Sequence, residues 1–343
     1  MRTKASLAVL ALIAAGCAGT AEETPQSLTL VSHNSFAEGV VDETFAAFTA
    51  ETGIAVEVVG AGDAGSMVNQ AILSKDNPFA DVLFGVDDTF LSRALDEEIF
   101  TPHTAEGIDS VPIDFRDPSD RVTPIDYGDV CVNYDKEWFE ANEVEVPTTL
   151  EELGNLAGEL TVEHPATSSP GLAFMLATIE HFGEDGWLDY WALLRDGGVT
   201  ITSDWDTAYY SEFTRYGGDT PLVVSYASSP PAEVIFATEP TDTAPTGVVE
   251  AGCYRQVEYA GVLAGTPHPE AAGRLVDYML SVEFQEQIPL SWFVFPVNPD
   301  ATLPDEFVKH TVIPEDPARL GSERIAENRD AWINQWVEVM EQR

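Results

Sequence analysis

Short apolar runs and amphipathic stretches alternate through the first hundred residues. Residues 27–32 (SLTLVS) read as a strand, and residues 43–52 as a helix with Phe45 and Phe48 on one face. A second strand covers 55–59 (AVEVV), and Asp63-Ala64-Gly65-Ser66 opens a helix with Met67, Ala71 and Ile72 as its apolar stripe. A third strand at 81–85 (DVLFG) leads into a helix over 89–95. This β-α-β-α-β rhythm predicts a parallel sheet with crossover helices. Ligands bind such sheets at the carboxyl ends of the strands. The loops holding His33-Asn34-Ser35, residues 60–63 and Val86-Asp87-Asp88 should therefore face one crevice.

The remaining chain keeps the pattern with longer intervals. Residues 125–135 (IDYGDVCVNYD) read as extended, and Thr149 with Glu152 forms a capping pattern at a helix start. The polar turn 167–171 (TSSPG) enters an apolar helix over 172–179. Strands are expected at 199–201, 222–226 and 254–264, and helices at 205–213, 269–280 and 325–341. The last helix carries Ile325, Trp332, Trp336 and Met340 as a stripe. A chain of 343 residues exceeds what one core usually serves, so two domains are expected.

At the amino end, Arg2 and Lys4 precede an apolar run over 5–15 that is too short for a permanent bilayer span. Ala14-Ala15-Gly16-Cys17 follows and resembles a lipobox. Residues 1–16 are expected to be removed as a signal peptide, Cys17 to carry lipid, and 17–26 to act as a tether. The alternative is an ordinary cleaved signal with an incidental cysteine. Either way the product is exported. With the lipid it sits on the outer face of the cytoplasmic membrane, periplasmic or extracellular.

Charge narrows the partners. The chain has 16 Lys+Arg against 59 Asp+Glu, a formal charge of −43. Such a surface repels phosphate backbones, which argues against nucleic acid. A hydrophobic content of 44% is too high for a disordered acidic tail. A pocket needs two or three acids, so the surplus is assigned to a halophilic or salt-tolerant host. Beyond Cys17 two cysteines remain, Cys131 and Cys253. Outside the cell an even pair suggests one disulfide, the alternative being two buried thiols. Two cysteines cannot fill a tetrahedral zinc site, and no histidine spacing completes one. A secreted hydrolase lacks a motif here: the sequence has no G-x-S-x-G, no H-E-x-x-H and no phosphate loop. No cofactor is expected.

Several stretches, taken in order, resemble the periplasmic-type solute-binding proteins, and among them the thiamine-binding subunits of ABC importers. They are Val86-Asp87-Asp88, Asp126-Tyr127-Gly128, the turn 164–172, Trp205 with Tyr209, residues 225–230 (SYASSP), Trp292 with Pro296-Val297, and residues 331–336. The resemblance implies an α/β, two-lobed type II fold with two hinge crossovers that closes over its ligand. Lobe 1 would comprise 27–130 and 255–343, and lobe 2 residues 131–254. The crossovers would hold Cys131 and Cys253, so a disulfide would join neighbouring hinge strands. The implied function is capture of thiamine, or a phosphate ester of it, by a monomeric receptor. That receptor hands it to a permease and its ATPase subunit without doing chemistry.

Thiamine carries a positive thiazolium and a flat aminopyrimidine. An aromatic face beside a desolvated cation contributes about 0.5–2 kcal/mol. By the resemblance, the pocket aromatics are Trp205, Tyr226 and Trp292, and the acidic position is Asp63, joined by Asp87 at another strand end. Asn34, Ser168 and Ser228 complete the expected set from the loops that face the crevice. Three positions depart from the family: His33 and Ala232 stand where it has tyrosines, and His164 where it has an aspartate. These departures leave the ligand open. Ferric iron, for which Tyr209-Tyr210 is a candidate pair, and a polyamine are the rivals within the same fold.

Overall fold

The computed structural model describes residues 25–341. The expected signal peptide and Cys17 lie outside the described residues. Nine strands form one mixed sheet in the order β2-β1-β3-β8-β4-β7-β5-β6, with β9 paired to β4. The strands are β1 Ser27–Ser32, β2 Ala55–Gly60, β3 Val82–Asp87, β4 Thr123–Asp135, β5 Leu160–Glu163, β6 Thr200–Thr202, β7 Leu222–Tyr226, β8 Thr246–Val262 and β9 Phe295–Pro296.

Two parallel sets, β2-β1-β3 and β7-β5-β6, flank a long antiparallel ladder of β8 and β4. β3 pairs with the last part of β8, whereas β7 pairs with the last part of β4. Each long strand thus serves both sets, and the ladder runs from Thr123↔Ala260 to Asp135↔Thr246 with register shifts between Pro124 and Asp126 and between Val130 and Val132. The parallel sets follow from the sequence. β3 is buried at every residue because helices cover both its faces.

Local chemistry sets the helix starts. Asp63 caps Ala64–Leu73 by accepting from Ala64 N at 2.8 Å. Thr149 caps Leu150–Gly154, and Glu152 reaches back to Thr148 N, so the capping pattern is realised. The apolar helix after the TSSPG turn is longer than expected. It spans Ser169–Gly197 and breaks only at Gly183, where φ is +70°. Its first half is buried among the strands. Trp191 in its second half meets Trp336 of the closing helix Ser322–Met340 edge to face at 5.4 Å. The strand expected at 254–264 begins earlier, at Thr246, and the helix expected at 205–213 divides into Trp205–Thr207 and a wider turn, Ala208–Glu212. Polar residues hid both: Glu250 and Gly252 break the apolar alternation, and the Asp204 cap opens only a single turn.

Cys131 and Cys253 form a disulfide on neighbouring rungs of the long ladder, across 122 residues of sequence. The segment near 312–318 lies over it. Ala318 N donates to Cys253 O at 2.7 Å, and Val312 N donates to Ala227 O at 3.0 Å.

Candidate functional site

A cavity of about 310 Å³ opens between the two parallel sets, over the β4–β8 ladder. Its floor comes from alternation on that ladder. Asp126 opposes Glu258, and Gly128 opposes Gln256, so the side chains of Asp126, Gln256 and Glu258 share one face. Asp126 and Glu258 line the cavity, while Gln256 Oε1 accepts from the Tyr226 hydroxyl at 3.2 Å.

His33 closes the floor from the end of β1. Its Nδ1 accepts from Phe36 N at 3.2 Å, which caps the helix Asn34–Gly39. The ring proton therefore sits on Nε2, which faces Glu258 Oε2 at 3.6 Å. Gly85 makes room for this ring. It has φ +96°, and a Cβ there would lie 2.3 Å from His33 Cδ2. Burial alone would depress the His33 pKa, but the charges of Glu258, Asp63 and Asp206 outweigh it and raise it.

Asp63 also lines the cavity. Its second carboxylate oxygen accepts from Trp205 N at 3.2 Å, and Gly65 N donates to Thr167 O at 3.0 Å. These two bonds join the β2-β1-β3 side to the β7-β5-β6 side. Burial raises the Asp63 pKa, opposed by hydrogen bonding and by His33.

The far wall is aromatic. Trp205 stacks on Tyr209 at 5.0 Å, and its Nε1 donates to Ser225 Oγ at 3.0 Å. Tyr209 and Tyr216 both donate to Glu233, at 2.9 and 2.8 Å, and Arg215 completes that group. Tyr210 stands edge-on to Trp205 at 5.5 Å and stays half exposed. On the near wall Trp292 stacks on Phe36 at 4.5 Å and donates to Phe36 O at 3.0 Å. A Cβ on Gly39 would lie 2.5 Å from the Trp292 Nε1, so only glycine fits beneath the indole.

Five of the expected residues line the cavity: His33, Asp63, Trp205, Tyr226 and Trp292. The other five do not. Asn34 uses Oδ1 to accept from Gly62 N at 3.0 Å. Asp87, directly opposite Glu258 on β3, is fully buried and outside the lining, accepting from Thr89 and Phe90 N, and burial lifts its pKa to about 7. His164 turns away to meet Trp336 at 4.8 Å. Ser168 is fully buried beside the cavity, where its neighbour Ser169 takes the lining position. Ser228 donates to Phe293 O and so holds the Trp292 loop.

Sequence reasoning missed Glu258, Asp206 and Phe36 as lining residues, and quoted Asp126 only within a motif. Glu258 carried a signal: an acid inside the apolar run at 257–263. The lining includes five carboxylates, namely Glu38, Asp63, Asp126, Asp206 and Glu258, against one imidazole and no Lys or Arg. Aromatic faces with surplus negative charge suit a flat organic cation. Ala232 lines the cavity too, beside Phe236.

Known proteins point the same way. The family model for "Bacterial extracellular solute-binding protein" matches residues 77–328. The thiamine-binding periplasmic protein of Escherichia coli (strain K12) is 30% identical over 313 residues, covering 90% of this chain and 92% of its own. The thiamine-binding periplasmic protein of Brucella suis biovar 1 is 29% identical, with 97% of both chains covered. A solved periplasmic thiamin binding protein superposes with a TM-score of 0.82 at 28% identity, covering 92% of this chain and 96% of that one. An iron-bound protein of Pseudomonas aeruginosa shares the fold, with a TM-score of 0.74 at 19% identity. The mixed sheet with its paired long strands is thus the type II periplasmic-binding fold, and the chain belongs to the bacterial extracellular solute-binding protein family.

Proposed function

We propose that this protein captures thiamine outside the cytoplasmic membrane and delivers it to an ABC permease. The observation that carries this reading is the cavity lining: aromatic walls over a floor of carboxylates, without Lys or Arg. The named relatives supply thiamine as the specific cation. Family members bind and release solutes, and no chemistry on the ligand is proposed. The β4–β8 ladder acts as the hinge. Residues 27–130 with 255–343 are assigned to one lobe and 131–254 to the other, with the closing helix Ser322–Met340 reaching across to pack on Ser169–Gly197 of the second. The Asp63–Trp205 bond helps to hold the closed state. Anchoring through lipid on Cys17 and a monomeric state complete the proposal.

The lining favours thiamine over its phosphate esters, because a phosphate would enter a field of five carboxylates. The ferric alternative is left with Tyr210 alone of its candidate pair, since Tyr209 donates its hydroxyl to Glu233. Calorimetric titration of residues 27–343 in high salt tests the reading, with thiamine, its mono- and diphosphate, ferric iron and spermidine. Saturable micromolar or tighter binding of thiamine, with weaker binding of the esters, is expected. Binding of iron or spermidine alone would replace the ligand and keep the fold.

A further inference from the structure

Asp126 and Glu258 face each other across the long ladder, with no Lys or Arg in the cavity lining and His33 Nε2, 3.6 Å from Glu258, as the one base there. Asp126 is 3% exposed, and its Oδ1 has no hydrogen-bond partner. Glu258 meets only weak donors: His33 Nε2 at 3.6 Å and Gln256 Nε2 at 3.5 Å. Directly opposed like charges are unfavourable on a sheet, and burial makes them more so. The other ionisable groups around the pair do not relieve it. Asp63 stands at the start of its helix, Asp206 comes from the opposite wall, Asp87 opposes Glu258 from β3 and adds a third buried acid, and Tyr226 covers the floor. His33 is the single base, and its Nδ1 is committed to the helix cap.

We infer that the Asp126–Glu258 pair shares one proton in the empty cleft and loses it to solvent when the organic cation enters. The pair, more than Asp63, is then the counter-charge of the ligand, and capture is linked to proton release. The inference rests on the proposed binding of a cation at this site. The chemistry balances simply: one proton leaves to bulk water as one positive charge arrives, so the floor keeps its net charge. Burial first, then the charge of Glu258 and a hydrogen bond with it, push Asp126 well above the ordinary carboxylate range, in agreement with a shared proton.

The sign follows from linkage. A cation that binds only the doubly ionised pair competes with the proton, so affinity rises with pH, at most about tenfold per unit, until the proton is gone. The test is titration calorimetry with thiamine between about pH 6 and 8.5, in buffers of differing ionisation enthalpy, on wild type, Asp126→Asn and His33→Asn. Wild type should bind more tightly as pH rises and release close to one proton per ligand. Asp126→Asn should bind more weakly, with a flat profile and no released proton. His33→Asn removes the imidazole's own titration and should still bind more tightly as pH rises. Any titration of the ligand itself is common to all three, so the differences carry the result. A flat wild-type profile with clear binding overturns the inference and leaves the proposed function standing. So does a pH dependence that survives in Asp126→Asn or vanishes in His33→Asn. Absence of thiamine binding at every pH overturns both.

Discussion

Asp126 and Asp129 stand three residues apart on β4, each 3% exposed, on opposite faces of one ladder. On the back face, Asp129 receives Arg255 in a two-pronged pair, at 2.6 and 2.9 Å, and Arg255 also lies over the Tyr127 ring at 5.3 Å. Two residues along each strand, at the register shift, lies the Cys131–Cys253 disulfide. On the front face, Asp126 receives another carboxylate. The same residue type is neutralised by the fold on one side and left for something else to neutralise on the other. A buried acid with a matched arginine is a structural element. A buried acid beside a second acid is unfavourable when both are ionised, and a proton or a cationic ligand relieves it. The two acids thus separate what holds the ladder together from what its front face leaves for a ligand.

The largest effect should come from removing the arginine. Arg255→Ala leaves Asp129 buried and unpaired, which costs about 3–5 kcal/mol. Urea unfolding measures this. Replacing both partners by apolar residues of similar size, Arg255→Met with Asp129→Leu, should recover most of the loss. Asp126→Asn should do the opposite of Arg255→Ala. A carboxyl whose folded pKa is raised favours folding at low pH, and that contribution is lost as pH rises through the raised value. The amide removes this loss, so the variant should gain stability relative to wild type near neutral pH and show no gain at acid pH. Equal destabilisation by the two single variants would abolish the distinction between the faces.

Cys131→Ala with Cys253→Ala comes next. Opening a loop that spans 122 residues of sequence should cost about 2–4 kcal/mol of stability. Thiamine affinity should change little, since the bond lies on the back face. An affinity loss as large as the stability loss would mean that the back face shapes the site.

The back face was more legible in the sequence than the front. Two cysteines in strand-like runs, outside the cell, leave few pairings, and a disulfide is the simplest. The apolar alternation marked β1, β2 and β3, the long β4, and β7 with its end at Tyr226. Aromatic positions also transferred well: Trp205, Tyr226 and Trp292 all reach the cavity. Acids did not. Asp87 sits at a strand end as expected, yet Thr89 and Phe90 N take up one of its oxygens, and it is buried outside the lining. In a chain with 59 acidic residues, one more acid in a strand carries no weight. Glu258 becomes visible only when the ladder register sets it opposite Asp126. Register between distant strands is a tertiary fact, and one-dimensional spacing does not contain it.

Front-face aromatics should affect binding and spare folding. Trp292→Ala is expected to weaken thiamine binding at least tenfold, about 1.4 kcal/mol. Calorimetry is the measurement, because seven tryptophans share the fluorescence. Gly39→Ala should act in the same direction, since its Cβ would displace the indole. Unchanged affinity in both would remove Trp292 from the site.

The smallest effect expected is at the cavity mouth, and it tests whether the front face closes as the hinge implies. Phe236 ends the helix Pro230–Ile235 and is 69% exposed, unusual for so large an apolar ring. It meets Phe293, from the Trp292 loop, edge to face at 5.5 Å. Phe293 holds a positive φ of 55°, and Ser228 fixes its carbonyl. In the proposed division the two rings come from opposite lobes, so under the proposed closure their contact would form only as the cleft shuts. An aromatic pair contributes about 0.5–1.5 kcal/mol, and exposure places this one at the lower end. Phe236→Ala should therefore speed thiamine release about twofold to threefold in stopped-flow, with association and urea stability unchanged. Because the pair forms after the ligand has entered, its loss belongs in the off-rate. A change confined to the on-rate would instead assign Phe236 to the open state, and the closed contact would carry no energy.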